Sequence, residues 1–234
     1  MSRTPVKGVK ITSVLLPHSK CPECLNVWNK ALTILKGSNV RNFIVLVTGK
    51  SNIDGVFLYL PKLNTLNECI GNKLRGLYPL IRKVNYDVIA KDEVLRDLLS
   101  KLMKLLDCRL IITIIISLRS REVCKGVANA INSLVSLLHE DFTIITLANL
   151  GISLSEEDAR SMLNEIIDNI KKLDIIEEFE FNPYIDVSSL LTLLSYLRLV
   201  KSYHIDIEVL SKGSSKLCID SACIYLNYAG LIFT

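Results

Sequence analysis

Two stretches of this 234-residue chain bring reactive side chains together by spacing alone. The sharper is His18-x2-Cys21-x2-Cys24 in PHSKCPEC. A thiol on a helix's first turn feels the positive end of the peptide dipoles, which lowers its pKa. A Cys-x-x-Cys between a strand and a helix is therefore the pattern of a thiol-disulfide oxidoreductase. The same spacing is half of a zinc site, yet no second Cys-x-x-Cys supplies the other half. The plain alternative makes Cys21 and Cys24 ordinary small residues, and the sequence leaves these readings open. The other stretch is Ser117-Leu118-Arg119-Ser120-Arg121, between an apolar run and a helical pattern. Cations at a helix amino end are mildly unfavourable, so Arg119 and Arg121 ask for a compensating anion, bound there or supplied by Glu122. Their plain reading is as surface residues of a first helical turn.

Other patterns exclude more than they suggest. Thr48-Gly49-Lys50-Ser51 has the ending of a P-loop, but Ile44 stands where its first glycine belongs and Asp54-Gly55 interrupts the helix that should follow. A nucleoside triphosphatase is excluded on that ground. His18, His139 and His204 lie near no exposed serine elbow, so no Ser/His/Asp triad is assembled. His139 ends a helix, and His204 falls in a turn between helices. No cofactor and no metal are expected.

The elements that must position these residues alternate. Strands are predicted over Val9 to Leu16, Phe43 to Val47, Val56 to Leu60 and Tyr86 to Ala90. Helices are predicted from Cys24 to Leu35, ended by Gly37, from Leu63 to Val84 with breaks at Gly71, Gly76 and Pro79, and after the cap Asp92. Leu110 to Ile116 is continuously apolar and β-branched, the pattern of a strand covered on both faces. Val123 to Leu138 then repeats at helical spacing, and Phe142 to Leu147 is again a strand. A β-loop-α-β unit of this kind gives parallel strands with a right-handed crossover. The fold class is α/β, a Rossmann-like, mostly parallel sheet over residues 1–152. A helix capped by Ser153 or Ser155 runs through Lys172, and an acidic edge strand or linker, Asp174 to Asn182, completes a connection over 153–183. Three short helices, Ser188 to Lys201, Ile205 to Ser211 and Ser215 to Tyr228, are predicted for 184–234.

Half of the residues are apolar, enough for a core. No apolar run is long enough to span a bilayer, and the amino-terminal stretch breaks at Pro17 before it can form a signal peptide. Seven scattered cysteines, an odd number, read as a reducing, cytoplasmic setting. Charge is uneven. Residues 1–150 hold 21 basic and 11 acidic side chains, residues 151–234 hold 7 and 13. An anionic partner should prefer the first part.

Ser215 to Ile232, SKLCIDSACIYLNYAGLI, resembles the helix-turn-helix core of winged-helix regulators. Ile219, Cys223 and Leu226 share one helical face, and Gly230 would end the recognition helix. The resemblance puts Ser215, Lys216, Asp220 and Ser221 on a DNA-reading face, although 184–234 hold 4 basic and 4 acidic residues, too balanced for strong phosphate contact. A dimerisation module is the rival reading. A Rossmann-like domain followed by such a module is similar to the CARF–winged-helix transcriptional regulators of archaeal CRISPR systems, most clearly over Asn85 to Leu147. That resemblance implies a homodimer binding a cyclic oligoadenylate, a cyclic oligonucleotide, at the loops after two strands. By position these are Pro17, His18, Ser19 and Lys20, with Ser117, Leu118, Arg119, Ser120 and Arg121. It implies duplex DNA as a second partner, while the short apolar runs imply no membrane. The alternative class is an enzyme, either a metal-independent ring nuclease on the same ligand or an oxidoreductase using Cys21 and Cys24.

Overall fold

The computed structural model describes residues 10–49, 54–61, 64–106, 108–174, 182–200, 205–219 and 222–234. Among these, nine strands form one sheet in the order β4-β3-β5-β2-β6-β1-β9-β7, with β8 alongside β9. At its centre β5 (Leu110–Ile116), β2 (Asn42–Thr48), β6 (Phe142–Ala148) and β1 (Ser13–Pro17) lie parallel. Every residue of these four strands is buried, which explains why their sequences show no polar alternation. β3 (Val56–Tyr59) runs antiparallel to β5, and β4 (Ile81–Lys83) lies parallel to β3 at the edge.

Alternate strand residues feed two cores. Val14, Val45, Val47, Ile111 and Ile145 face α1 (Pro22–Gly37) and α3 (Glu93–Leu105). Leu15, Ile44, Leu46, Ile112 and Ile144 face α2 (Thr65–Leu77), α4 (Arg121–Leu138), α5 (Glu156–Lys171) and α6 (Val187–Val200). The predicted crossover from β5 through α4 to β6 is present. The helix after Gly151 is α5, and of the two serines considered, Ser155 is its cap. α6 is buried nearly all round, between α4 and the strands β2 and β6. Its polar side chains find partners inside: Ser188 Oγ donates to the Leu118 carbonyl, and Ser189 Oγ to that of Leu147.

Three predicted elements are different. Tyr86 to Ala90 is no strand; Tyr86–Val88 is a short 3-10 turn, and the residues beside it lack a neighbouring strand to pair with. The long helical stretch stops at Leu77, and the chain beyond Pro79 becomes β4. The largest correction is carboxyl-terminal. Where helices were expected, β8 (Ile207–Ile219) and β9 (Ala222–Phe233) form an antiparallel hairpin. β9 also pairs with β1, Ser13 opposite Phe233 and Leu15 opposite Leu231, and with β7 (Ile152–Ser153). The reason is the open edge of β1, which would otherwise expose unpaired backbone beside a buried strand. Ile224, Tyr225, Tyr228, Ile232 and Phe233 are the β-branched and aromatic types that fill such a place. No helix-turn-helix is formed by the described residues of 205–234.

Gly230 does not end a helix. It sits in β9 where a Cβ would collide with Val27 Cγ1 on α1, so its smallness lets helix and strand touch. Among the described residues, no helix is long and apolar enough to cross a membrane. Lys50 and Ser51 of the P-loop-like ending, residues 175–181 of the acidic connection, His204, Asp220 and Ser221 lie outside the described residues.

Candidate functional site at the carboxyl edge of the sheet

The parallel strands all end on one side. After β1 the chain turns to α1 on one face, and after β6 it continues to α5 on the other. In open α/β sheets such a divergence leaves a crevice outside the strand ends, where ligands bind. Here the crevice lies between Pro17-His18 and Ala148-Asn149.

His18 fills it. Its ring is inaccessible, with Nδ1 3.0 Å from Asp186 Oδ2 and Nε2 2.9 Å from Asp92 Oδ2. Asp186 Oδ2 also accepts the Asn149 amide at 2.8 Å, while the Asp186 amide donates to the Asn149 carbonyl at 3.0 Å. Burial opposes a charge on the ring, but the hydrogen bonds and charges of Asp186 and Asp92 outweigh it and raise the His18 pKa above its ordinary value. Charged, the ring donates from both nitrogens. It has no lone pair left for a metal and none for taking a proton. His18 is thus a pin that fastens two covering segments, the start of α3 and the approach to α6, to the end of β1.

Asp92 does double duty, for its Oδ1 also caps α3 by accepting the Leu95 amide at 3.0 Å. Beside this cap, a cavity of ≈ 330 Å³ opens between the ends of β2 and β5 and the start of α3. Its walls include Ile89, Val94, Leu95 and Ile115, with Thr48, Lys91, Asp92 and Glu93 as polar members. The acidic groups at this helix end already have partners: Asp92 has His18, and Glu93 has Lys20 at 3.2 Å. Lys91 has no ion pair among the described residues. Gly49 closes the floor, since a Cβ there would overlap Ser117 Oγ.

The residues expected to hold a ligand are placed as follows. The Pro17 carbonyl accepts the Trp28 indole at 3.0 Å, and Ser19 is half-buried. Lys20 reaches Asp97 at 2.9 Å as well as Glu93. Arg119 donates to the carbonyls of Asn182 and Pro183, both at 3.2 Å. Ser120 caps α4 through the Val123 amide and donates to Glu122 Oε2 at 2.9 Å. Glu122's own backbone amide and the Ser120 hydroxyl hold its carboxyl below the usual range, so Glu122 supplies the anion this helix end asks for. Arg121 lies beside Lys125, Asp174 and Arg198. The two loops share one edge, but β2 and β6 separate them and the side chains do not converge.

The cysteine pattern divides. Cys21 and Cys24 form a disulfide, and the Cys24 amide donates to Cys21 Sγ at the cap of α1. Both are buried, so neither sulfur is offered to a substrate thiol. His18 turns away to its carboxylates. Among the described residues, no group of three or more His, Cys, Asp or Glu is arranged to hold a metal. A second disulfide, Cys218–Cys223, links β8 to β9. On the same hairpin Ser215 is buried and donates to Glu23 Oε2 at 3.2 Å, and Lys216 lies over the Tyr225 ring at 6.0 Å.

Sequence reasoning reached Asp92 only as a cap and did not reach Asp186 or Lys91. Asp186 stands 168 residues from His18 and follows no motif, so nothing local could signal the pair.

No family model matches the chain, and no curated protein matches it. Among solved structures, that of an uncharacterized protein, JW3007, from Escherichia coli K12 is similar, with a TM-score of 0.53 and 13% identity over 95% of this chain and 99% of that one. At that identity the likeness shows a shared mixed α/β fold.

Proposed function

We propose that this chain is a small-molecule sensor whose carboxyl-edge cavity takes a mononucleotide-sized ligand bearing one anionic group. The observation that carries the reading is the ≈ 330 Å³ cavity at the mouth of the parallel strands, with Lys91, which has no ion pair among the described residues, on its wall. That volume is at the small end of the range for ligand pockets, which run from about 300 to 1,000 Å³. Ile89, Val94, Leu95 and Ile115 offer apolar contact to a ring system, while the Thr48 hydroxyl is already held by Ser189. Lys91 suits a phosphate or carboxylate, since the start of α3 is already capped by Asp92.

This narrows what the resemblance to CARF–winged-helix regulators implies. A cyclic oligoadenylate brings one negative charge per nucleotide, and Lys20 and Arg119 are already occupied by Glu93, Asp97 and two carbonyls. Lys91, the one cation lining this cavity among the described residues, suits one anionic group.

Isothermal titration with adenosine monophosphate and with cyclic tetra-adenylate tests the reading. The monophosphate should bind, and Lys91→Ala should weaken it about tenfold or more, the share of one charge-assisted hydrogen bond. Val94→Trp should fill the cavity and remove binding while the protein still melts cooperatively. Absence of heat with the monophosphate refutes the ligand class, and unchanged affinity in Val94→Trp moves the site elsewhere.

A further inference from the structure

A second cavity lies at the opposite, amino edge of the sheet, at ≈ 570 Å³ the more spacious of the two. It sits below the starts of β1 and β6, between the closing turns of α4 and α6. Val135, Phe142 and Leu199 give it apolar walls, and Asn132 and Ser136 stand on its α4 side. Tyr196, on α6, lines it while only 3% exposed. The phenol hydroxyl has no hydrogen-bond partner among the described residues. The hydroxyl is not one of the sealed, unpartnered polar atoms of the core, so it is reached from the cavity that Tyr196 lines and offers its donor there.

We infer that this amino-edge cavity is a binding site for an uncharged, largely apolar molecule carrying one hydrogen-bond acceptor, which receives the Tyr196 hydroxyl. Four observations set the ligand's chemistry. The carboxyl ends of α4 and α6 both point to this edge and carry partial negative charge, which repels an anion. Lys10, at the rim, is already paired with Asp141. No carboxylate side chain lines the cavity among the described residues, so a full cation finds only the partial charges of the helix ends. Burial pushes the Tyr196 pKa up to about 12, which keeps the phenol a neutral donor. What fits is an apolar body with a carbonyl or ether oxygen. The site is separated from the carboxyl-edge cavity by the length of the strands and stands or falls on its own.

The test uses 6-propionyl-2-dimethylaminonaphthalene, a neutral fluorophore with an apolar ring body and one ketone acceptor. It should bind the full chain saturably at one probe per chain, with blue-shifted emission. Tyr196→Phe removes only the hydroxyl and should weaken binding about five- to tenfold, the usual share of one neutral hydrogen bond, without lowering the melting temperature. Asn132→Trp should block the cavity and abolish binding in a protein that still melts cooperatively. Val94→Trp, which fills the other cavity, should bind the probe as wild type does. No saturable binding, equal affinity in Tyr196→Phe, retained binding in folded Asn132→Trp, or loss of binding in Val94→Trp would each overturn the inference.

Discussion

His18 shows how one side chain can decide the shape of a site without reacting in it. Its two nitrogens hold Asp92 and Asp186 only while both carry protons. On deprotonation one carboxylate must face a lone pair, and one covering segment loses its fastening. Lys20, Glu93 and Asp97 stand nearby but pair among themselves, so they do not replace the lost charge. Because the folded pKa is raised, the pin's contribution is complete below the unfolded value of 6.5 and is lost as pH rises through the raised folded value. Thermal melts from pH 6 to 9 should therefore show the melting temperature falling as pH rises, and His18→Ala should flatten that slope. The same substitution leaves Asp186 buried without its cation and should cost about 3 kcal/mol in denaturant unfolding, as breaking a buried pair does. A variant whose stability and pH profile match the wild type would show that the pin is not charged.

The elements differ in how far their sequences disclose them, and Gly230 makes the difference concrete. In β9 it allows α1 to approach, so Gly230→Ala should cost about 1–3 kcal/mol as the new methyl overlaps Val27. Val27→Ala should then recover part of that loss. Chemical denaturation of the two single variants and the double variant measures the coupling, and strictly additive effects would show that helix and strand do not touch there. In the sequence, the same glycine reads equally well as a helix stop, because Ile219, Cys223 and Leu226 happen to fall at helical spacing. Periodicity over so few apolar residues cannot separate a helix from a strand, and here the partner of the strand decides. β5 and β6 posed no such ambiguity, since uninterrupted β-branched runs suit a strand buried on both faces. The site was legible in part for the same reason. The strand ends locate the edge, which placed His18 after β1 but as a ligand residue and not as a pin, whereas Asp186 and Lys91 reach that edge through long-range folding that no local pattern records.

At the scale of the whole molecule, the sheet does not stop where the sequence suggests a boundary. Residues 1–152 read as a self-contained domain followed by a detachable module, and that division predicts two independent unfolding steps. The topology argues otherwise. β9 supplies the neighbour of β1 on the side away from β6, through Ser13–Phe233, Val14–Ile232 and Leu15–Leu231. α6 lies under β2 and β6, and Leu190, Leu193, Leu194 and Leu197 belong to the same core as Ile44, Leu46 and Ile144. A chain cut after residue 152 would lose that helix and leave β1 as an edge, exposing side chains that are wholly buried in the intact protein. Such an apolar, unpaired strand is an aggregation template. The intact chain should therefore melt in a single calorimetric transition with equal calorimetric and van't Hoff enthalpies. Residues 1–152 expressed alone should be insoluble or unfolded. Removal of the hairpin alone, residues 205–234, should be nearly as damaging, because it also uncovers β1. Two resolved transitions, or a soluble and cooperatively folding 1–152 fragment, would show that the carboxyl-terminal segment is an accessory and not a structural member of the sheet.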